Sequence, residues 1–164
     1  EAISRIAQKP MDAHLLIVHP EQYVDRFAKV GVQMLSFHLN AVDNAGQVLA
    51  QIRAAGMSPG LAINPDIPVS RLFPYLDQCD YVVLMSVFAG FGGQKFIEAT
   101  YNRLSEIKEE IKRQGVSCKV QVDGGISASN SAKLIELGAD ILVAGSAVFK
   151  ADDPAAVIAA MKSE

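Results

Sequence analysis

The stretch Ile111-Lys112-Arg113-Gln114-Gly115-Val116-Ser117-Cys118-Lys119-Val120-Gln121-Val122-Asp123-Gly124-Gly125 contains the unit from which the fold is read. An amphipathic segment stops at a glycine, a short apolar run follows, and a glycine turn closes that run directly behind a carboxylate. Glycine adopts the left-handed backbone that ends a helix at no steric cost. A short apolar run is what a parallel strand covered on both faces requires.

The same unit recurs in both directions along the chain. Tyr23, Val24, Arg26, Phe27 and Ala28 lead to Gly31 and then Met34-Leu35-Ser36-Phe37. Val48, Leu49, Ile52 and Ala55 lead to Gly56 and Gly60-Leu61-Ala62-Ile63, and Leu134, Ile135 and Leu137 lead to Gly138 and Ile141-Leu142-Val143-Ala144. Two more strands are predicted over Met11 to Val18 and Tyr81 to Val87. Pro20 suits a first helical turn and Asp43 an N-cap. Ile3, Ile6 and Ala7 read as the back half of an amphipathic helix.

Strand and helix in alternation, about six times over, specify an α/β fold with a parallel sheet. A doubly wound sheet binding a dinucleotide would show G-x-G-x-x-G after an early strand and an acidic residue about 20 positions on. Neither is present. The glycine turns follow the late strands, where phosphate-binding barrels keep them, so the expected fold is a (β/α)8 TIM barrel. At 164 residues the chain is shorter than the typical barrel of about 250. With no linker dividing it, residues 1–164 are expected to form a single incomplete barrel domain.

Half of the residues are hydrophobic and 20% are charged, enough apolar material for a substantial core. A net charge of -3 offers no basic face for nucleic acid. The longest apolar stretches, Tyr81 to Gly90 and Ile141 to Phe149, are too short to span a membrane. Cys79 and Cys118 stand alone near strand starts and read as buried thiols of a reducing, cytoplasmic compartment.

Chemistry in such a barrel belongs to the C-terminal ends of the strands. Those ends present His14, His38, Asn64, Met85 with Ser86, Asp123, and Gly145 with Ser146. The loops beyond them hold Gly90-Phe91-Gly92-Gly93-Gln94, Asp123-Gly124-Gly125 and Gly145-Ser146. Glycines let backbone N–H groups approach a phosphate. Any one such turn is equally well a tight βα connection, but three on one rim favour phosphate binding. Asp123 is placed to act as general base or metal ligand rather than as a turn residue. From the residues alone, His14 reads as a hydrogen-bonded strand histidine sooner than a metal ligand, with Asp12 on the same face one step lower. His38 is similar, His19 reads as a surface loop residue, and core packing is the default for Met85.

Taken together, several of these segments resemble the ribulose-phosphate 3-epimerase family. Asp12-Ala13-His14-Leu15-Leu16-Ile17-Val18 is similar to that family's D-x-H-L-M-V strand. Phe37-His38, Gly60 to Pro65, Leu84 to Val87, Gly90 to Phe96, Val122 to Ile126 and Val143 to Phe149 follow in the family's order. The resemblance implies an isomerase of carbohydrate metabolism, in the pentose phosphate pathway. Ribulose 5-phosphate and xylulose 5-phosphate are interconverted through a metal-stabilised enediolate, with two aspartates as acid/bases. It implies one divalent metal ion (Zn, Fe(II), Mn or Co), with His14 and Asp123 as ligands and Asp123 as one acid/base. It also implies substrate contacts at His14, Met85, Gly90, Phe91, Gly92, Gly93, Gly124, Gly125, Gly145 and Ser146, a sugar phosphate as the small-molecule partner, and a homo-oligomer.

The chain departs from the family at its start. The early H-x-D-x-M-D-G strand, with the second histidine and second aspartate, is not present, and Asp12-Ala13-His14 matches the family's third strand. Strands one and two are therefore expected to be missing, the sheet open at both ends, and the isolated chain inactive as an epimerase, with C3 proton exchange by Asp123 the one partial reaction left to it. Leu16 replaces a methionine, Asn40 a glutamate, and Phe88-Ala89 an Asn-Pro pair. The competing expectations are an epimerase for a related ketose phosphate such as allulose 6-phosphate, and a non-catalytic phosphate-binding or assembly fragment.

Overall fold

Parallel strands cannot be joined by tight hairpins, so each needs a crossover before the next can pair. The computed structural model, which describes residues 2–88, 90 and 93–162, has this arrangement throughout. Its strands are β1 (Asp12–Leu15), β2 (Met34–His38), β3 (Ser58–Ile63), β4 (Tyr81–Met85), β5 (Lys119–Asp123) and β6 (Ile141–Val143). They pair in parallel in sequence order as one sheet. The helices are α1 (Val24–Lys29), α2 (Ala45–Ala54), α3 (Thr100–Gln114), α4 (Ala128–Glu136), α5 (Ser146–Phe149) and α6 (Pro154–Lys162).

Registered partners in a parallel ladder face the same way, so one face of the sheet can be read from the pairing. Leu35, Phe37, Leu61, Ile63, Val82, Leu84, Val120 and Val122 point outward and form one buried cluster with Leu49, Ile52, Leu104, Ile107 and Leu134 of the helices. Ala62, Tyr81, Val83, Met85 and Val87 form a second cluster on the inner face, with Met34 against it. The outer face is apolar throughout, and the inner face sets this cluster beside the buried polar side chains Ser36, His38 and Gln121, so the strands read as largely hydrophobic runs.

The sheet is strongly curled. In a flat sheet β1 and β5 would lie roughly 19 Å apart. Here the Asp12 carboxylate on β1 accepts from Tyr81 Oη on β4 at 2.9 Å and from Gln121 Nε2 on β5 at 3.0 Å. Gly60 makes room for this crossing. A Cβ there would sit 2.4 Å from the Tyr81 ring and 2.8 Å from the Ser36 Cβ. β1 pairs only with β2 and β6 only with β5 among the described residues, so both ends of the half-barrel are open, as expected.

Several expectations are corrected. The first residues form a short 3-10 turn, Ile3–Arg5, instead of an amphipathic α-helix, and Ile3 and Ile6 are exposed, so no buried face holds a longer helix there among the described residues. β1 stops at Leu15 because its ladder ends opposite Phe37, and the chain then turns through a left-handed His19 (φ 54°). The N-cap of α2 is Asn44, whose Oδ1 accepts from the Gln47 N–H at 3.1 Å, and not Asp43, because the helix begins at Ala45. Between β3 and β4 the crossover is two 3-10 turns, Val69–Arg71 and Phe73–Tyr75. Pro65, Pro68 and Pro74 cannot sit inside a continuous α-helix. Gly115 ends α3 in the left-handed conformation at φ 67°, as the pattern requires.

Candidate active site

Asp123 is the last residue of β5, and its registered neighbours Met85 and Val143 end β4 and close β6. These three line a cleft of about 280 Å³ at the C-terminal end of the sheet. The cleft is also lined by Gly90, Gly93, Gly124, Gly125, Gly145 and Ser146, together with Leu16, Val87 and Gln94. The glycine turns that lie far apart in sequence are therefore brought together on one rim. Phe91 and Gly92, also expected there, lie outside the described residues.

Asp123 is half-buried. Burial, and then the negative charge of Asp12, push its carboxyl above the ordinary carboxylate range. No hydrogen-bond donor reaches that carboxylate among the described residues. It is the only carboxylate lining the cleft among the described residues. A carboxylate with these properties is a better proton acceptor than one in water.

Gly124 and Gly125 are required by packing as well as by any ligand. Their φ angles are 122° and 64°, and a Cβ on Gly124 would lie 2.4 Å from Val87 Cγ2. A Cβ on Gly125 would lie 2.6 Å from the Phe96 nitrogen. Gly145 is different: nothing stands within 4 Å of a Cβ built on it.

His14 is not among the residues lining the cleft. On β1 its Nδ1 lies 2.8 Å from Ser36 Oγ and its Nε2 3.1 Å from His38 Nε2, with the two rings 5.0 Å apart. Burial and then the neighbouring His38 lower the His14 pKa to about 4, and burial also lowers that of His38. Both imidazoles are thus neutral at pH 7, the form that binds metals. Among the described residues, however, no three His, Cys, Asp or Glu side chains stand close enough to hold an ion. His14 and Asp123 have the right donor chemistry for a divalent cation but are too few to enclose one.

The pairing of His14 with His38 was not anticipated from the sequence. Its signal was parity: His14, Ser36 and His38 all fall on inward positions of neighbouring strands. Met85 is buried in the inner cluster and also borders the cleft, and His19 is an exposed loop residue beside Glu21. A larger polar groove of about 360 Å³, over His19, Asn40 and Asp43, is lined by none of the expected catalytic or phosphate-binding residues. Cys79 and Cys118 are free and buried. No helix among the described residues is long and apolar enough to cross a membrane.

Parallel strands in sequence order, curled about a shared interior, with a carboxylate and glycine turns at their C-terminal ends, place the protein in the (β/α) barrel class. Solved structures agree on the fold. KGPDC from Streptococcus mutans superposes with a TM-score of 0.73 at 16% identity, covering 98% of this chain and 73% of that one. A tryptophan synthase α-subunit from Pyrococcus furiosus gives 0.70 at 21%, covering 91% and 61%.

Sequence comparison narrows the class. The ribulose-phosphate 3 epimerase family model matches residues 1–149. The chain is 39% identical to the chloroplastic ribulose-5-phosphate-3-epimerase of Arabidopsis thaliana, over 99% of this chain and 59% of that protein. It is 38% identical to the ribulose-phosphate 3-epimerase of Escherichia coli K12, over 94% of this chain and 69% of that protein. The chain belongs to the ribulose-phosphate 3-epimerase family, and spans 59% to 72% of the length of curated relatives it matches.

Proposed function

We propose that this chain carries the phosphate rim and one acid/base of an enzyme that epimerises ribulose 5-phosphate and xylulose 5-phosphate at C3. The observation that supports this reading above all is Asp123, a raised carboxyl with no hydrogen-bond donor among the described residues, on a cleft rimmed by Gly90, Gly93, Gly124, Gly125, Gly145 and Ser146. The C3 proton of a 2-ketose is acidified by the adjacent carbonyl, and Asp123 removes or returns it on one face of the enediolate. Inversion needs a second proton donor on the opposite face, and the described cleft residues include no other carboxylate. The backbone amides of the glycine rim, including Phe91 and Gly92 of its first turn, hold the phosphate, and Met85 walls the sugar against water.

One divalent ion of the Zn, Fe(II), Mn or Co class suits a neutral imidazole and a carboxylate. His14, which also borders the sugar, and Asp123 are its donors from this chain. The continuous core from Leu15 to Leu134 supports reading residues 1–164 as one domain. The open edges β1 and β6 support self-association into a homo-oligomer. The free, buried thiols fit a reducing cytoplasm, and the substrate places the reaction in pentose phosphate metabolism.

Deuterium exchange at C3 of ribulose 5-phosphate tests the assignment, with Asp123→Asn beside the wild type and added divalent metal in both. Exchange in the wild type and none in Asp123→Asn is expected. Equal exchange in the two proteins would show that Asp123 is not the base.

A further inference from the structure

Resting on that functional reading, the geometry points to Ser86 as a positioning residue, which holds the Asp123-Gly124-Gly125 turn so that two adjacent N–H groups face the bound phosphate. Ser86 directly follows β4 and is fully buried. Its N–H donates to the Asp123 carbonyl at 2.8 Å, and its Oγ donates to the Gly124 carbonyl at 2.6 Å. One residue therefore takes two successive carbonyls of the turn.

In a trans peptide the C=O and the next N–H point in opposite directions across a rigid plane. Fixing the Asp123 carbonyl toward Ser86 turns the Gly124 N–H away from it, and fixing the Gly124 carbonyl does the same for the Gly125 N–H. Neither of these N–H groups has a hydrogen-bond acceptor among the described residues, and both glycines line the cleft. Two neighbouring free amides with a shared orientation form an anion-binding concavity.

Ser86 is itself held from two sides. The Ile97 N–H donates to its carbonyl at 2.9 Å. Arg103, reaching in from α3, donates through Nη1 to the preceding Met85 carbonyl at 3.1 Å. The same guanidinium donates through Nη2 to the carbonyls of Asn64 at 2.9 Å and Ile67 at 3.1 Å, tying the end of β4 to the end of β3. The side chain that aims the amides is anchored on a frame outside the cleft, which lets it act on the ligand without touching it. Alanine at position 86 keeps the backbone bond to Asp123 and removes only the bond to Gly124, so the Gly125 amide is the group released.

The test is titration of the wild type and Ser86→Ala with inorganic phosphate, followed by ¹H–¹⁵N shifts, with thermal midpoints recorded in parallel. In the wild type Gly124 and Gly125 shift saturably. In Ser86→Ala the affinity falls roughly five- to tenfold, the scale of one hydrogen bond. The Gly125 shift is lost there while that of Gly145 persists. Should Ser86→Ala not fold, Ser86→Cys, a weaker donor of similar shape, is read in the same way. Unchanged affinity and an unchanged Gly125 shift in the folded variant, whatever its thermal midpoint, overturn the positioning role. A wild type whose Gly124 and Gly125 ignore phosphate overturns instead the functional reading on which it rests.

Discussion

Replacing Gly145 with alanine separates the two reasons a glycine can occupy a turn. Gly145 has φ -102° and ψ -85°, outside the left-handed region and just beyond the right-handed helical one, and a Cβ there meets nothing within 4 Å. The fold therefore does not require glycine at this position. Gly145→Ala should leave stability within about 1 kcal/mol of wild type, with a small gain from the stiffer unfolded chain. Gly124→Ala is the opposite case. Its φ of 122° disfavours a side chain, and the new methyl would lie 2.4 Å from Val87 Cγ2 and 2.9 Å from the Val87 nitrogen. Backbone strain and overpacking together should cost about 2 to 6 kcal/mol. For a chain of this size, that lowers the thermal midpoint by about 5 °C or more. If phosphate binds against the Gly145 backbone, Gly145→Ala should weaken inorganic phosphate about tenfold, equivalent to about 1.4 kcal/mol, at unchanged stability. Calorimetric or NMR titration beside thermal denaturation reads both quantities on one sample. Wild-type phosphate affinity in Gly145→Ala would refute the reasoning, since the methyl would then stand where the phosphate is said to approach.

Asp123→Asn should raise stability at neutral pH, because burial lifts the folded carboxyl pKa and penalises its charged form. That gain should vanish as pH falls below the ordinary carboxylate range, where both states are protonated; denaturant midpoints across pH check the sign. Between pH 6.5 and about 4 the wild type should lose on the order of 3 kcal/mol through His14, which takes up a proton when unfolded but resists it when folded. His14→Gln should flatten that part of the stability curve. Tyr81→Phe should cost about 1 kcal/mol, since Asp12 loses one donor but keeps Gln121, as measured by chemical denaturation. Sedimentation velocity over a range of concentrations should show self-association through the open β1 and β6 edges; a single monomeric species throughout would count against it.

Much of the architecture was legible because it depends on local chemistry. Gly115 after α3 and the apolar run of β5 announce a helix end and a buried parallel strand whatever lies elsewhere. The β3–β4 crossover was less legible: Leu72 and Leu76 are fully buried, yet three prolines break any helical period into 3-10 turns. Asp43 and Asn44 are both good caps, and only the position of α2 against the sheet selects Asn44.

The sequence by itself determined that this protein is a run of βα units with glycine turns behind its late strands, because backbone preference and hydrophobic period act within a few residues. The curl of the sheet was decided by tertiary structure alone. It joins Asp12 to Gln121 across the interior and brings Asp12 close enough to help raise the Asp123 carboxyl, while strand register sets His14 against His38 and places Ser86 under two carbonyls of the glycine turn. Those are contacts between strands far apart in the chain, where desolvation and charge depend on which groups the fold brings together and not on which ones are neighbours in sequence.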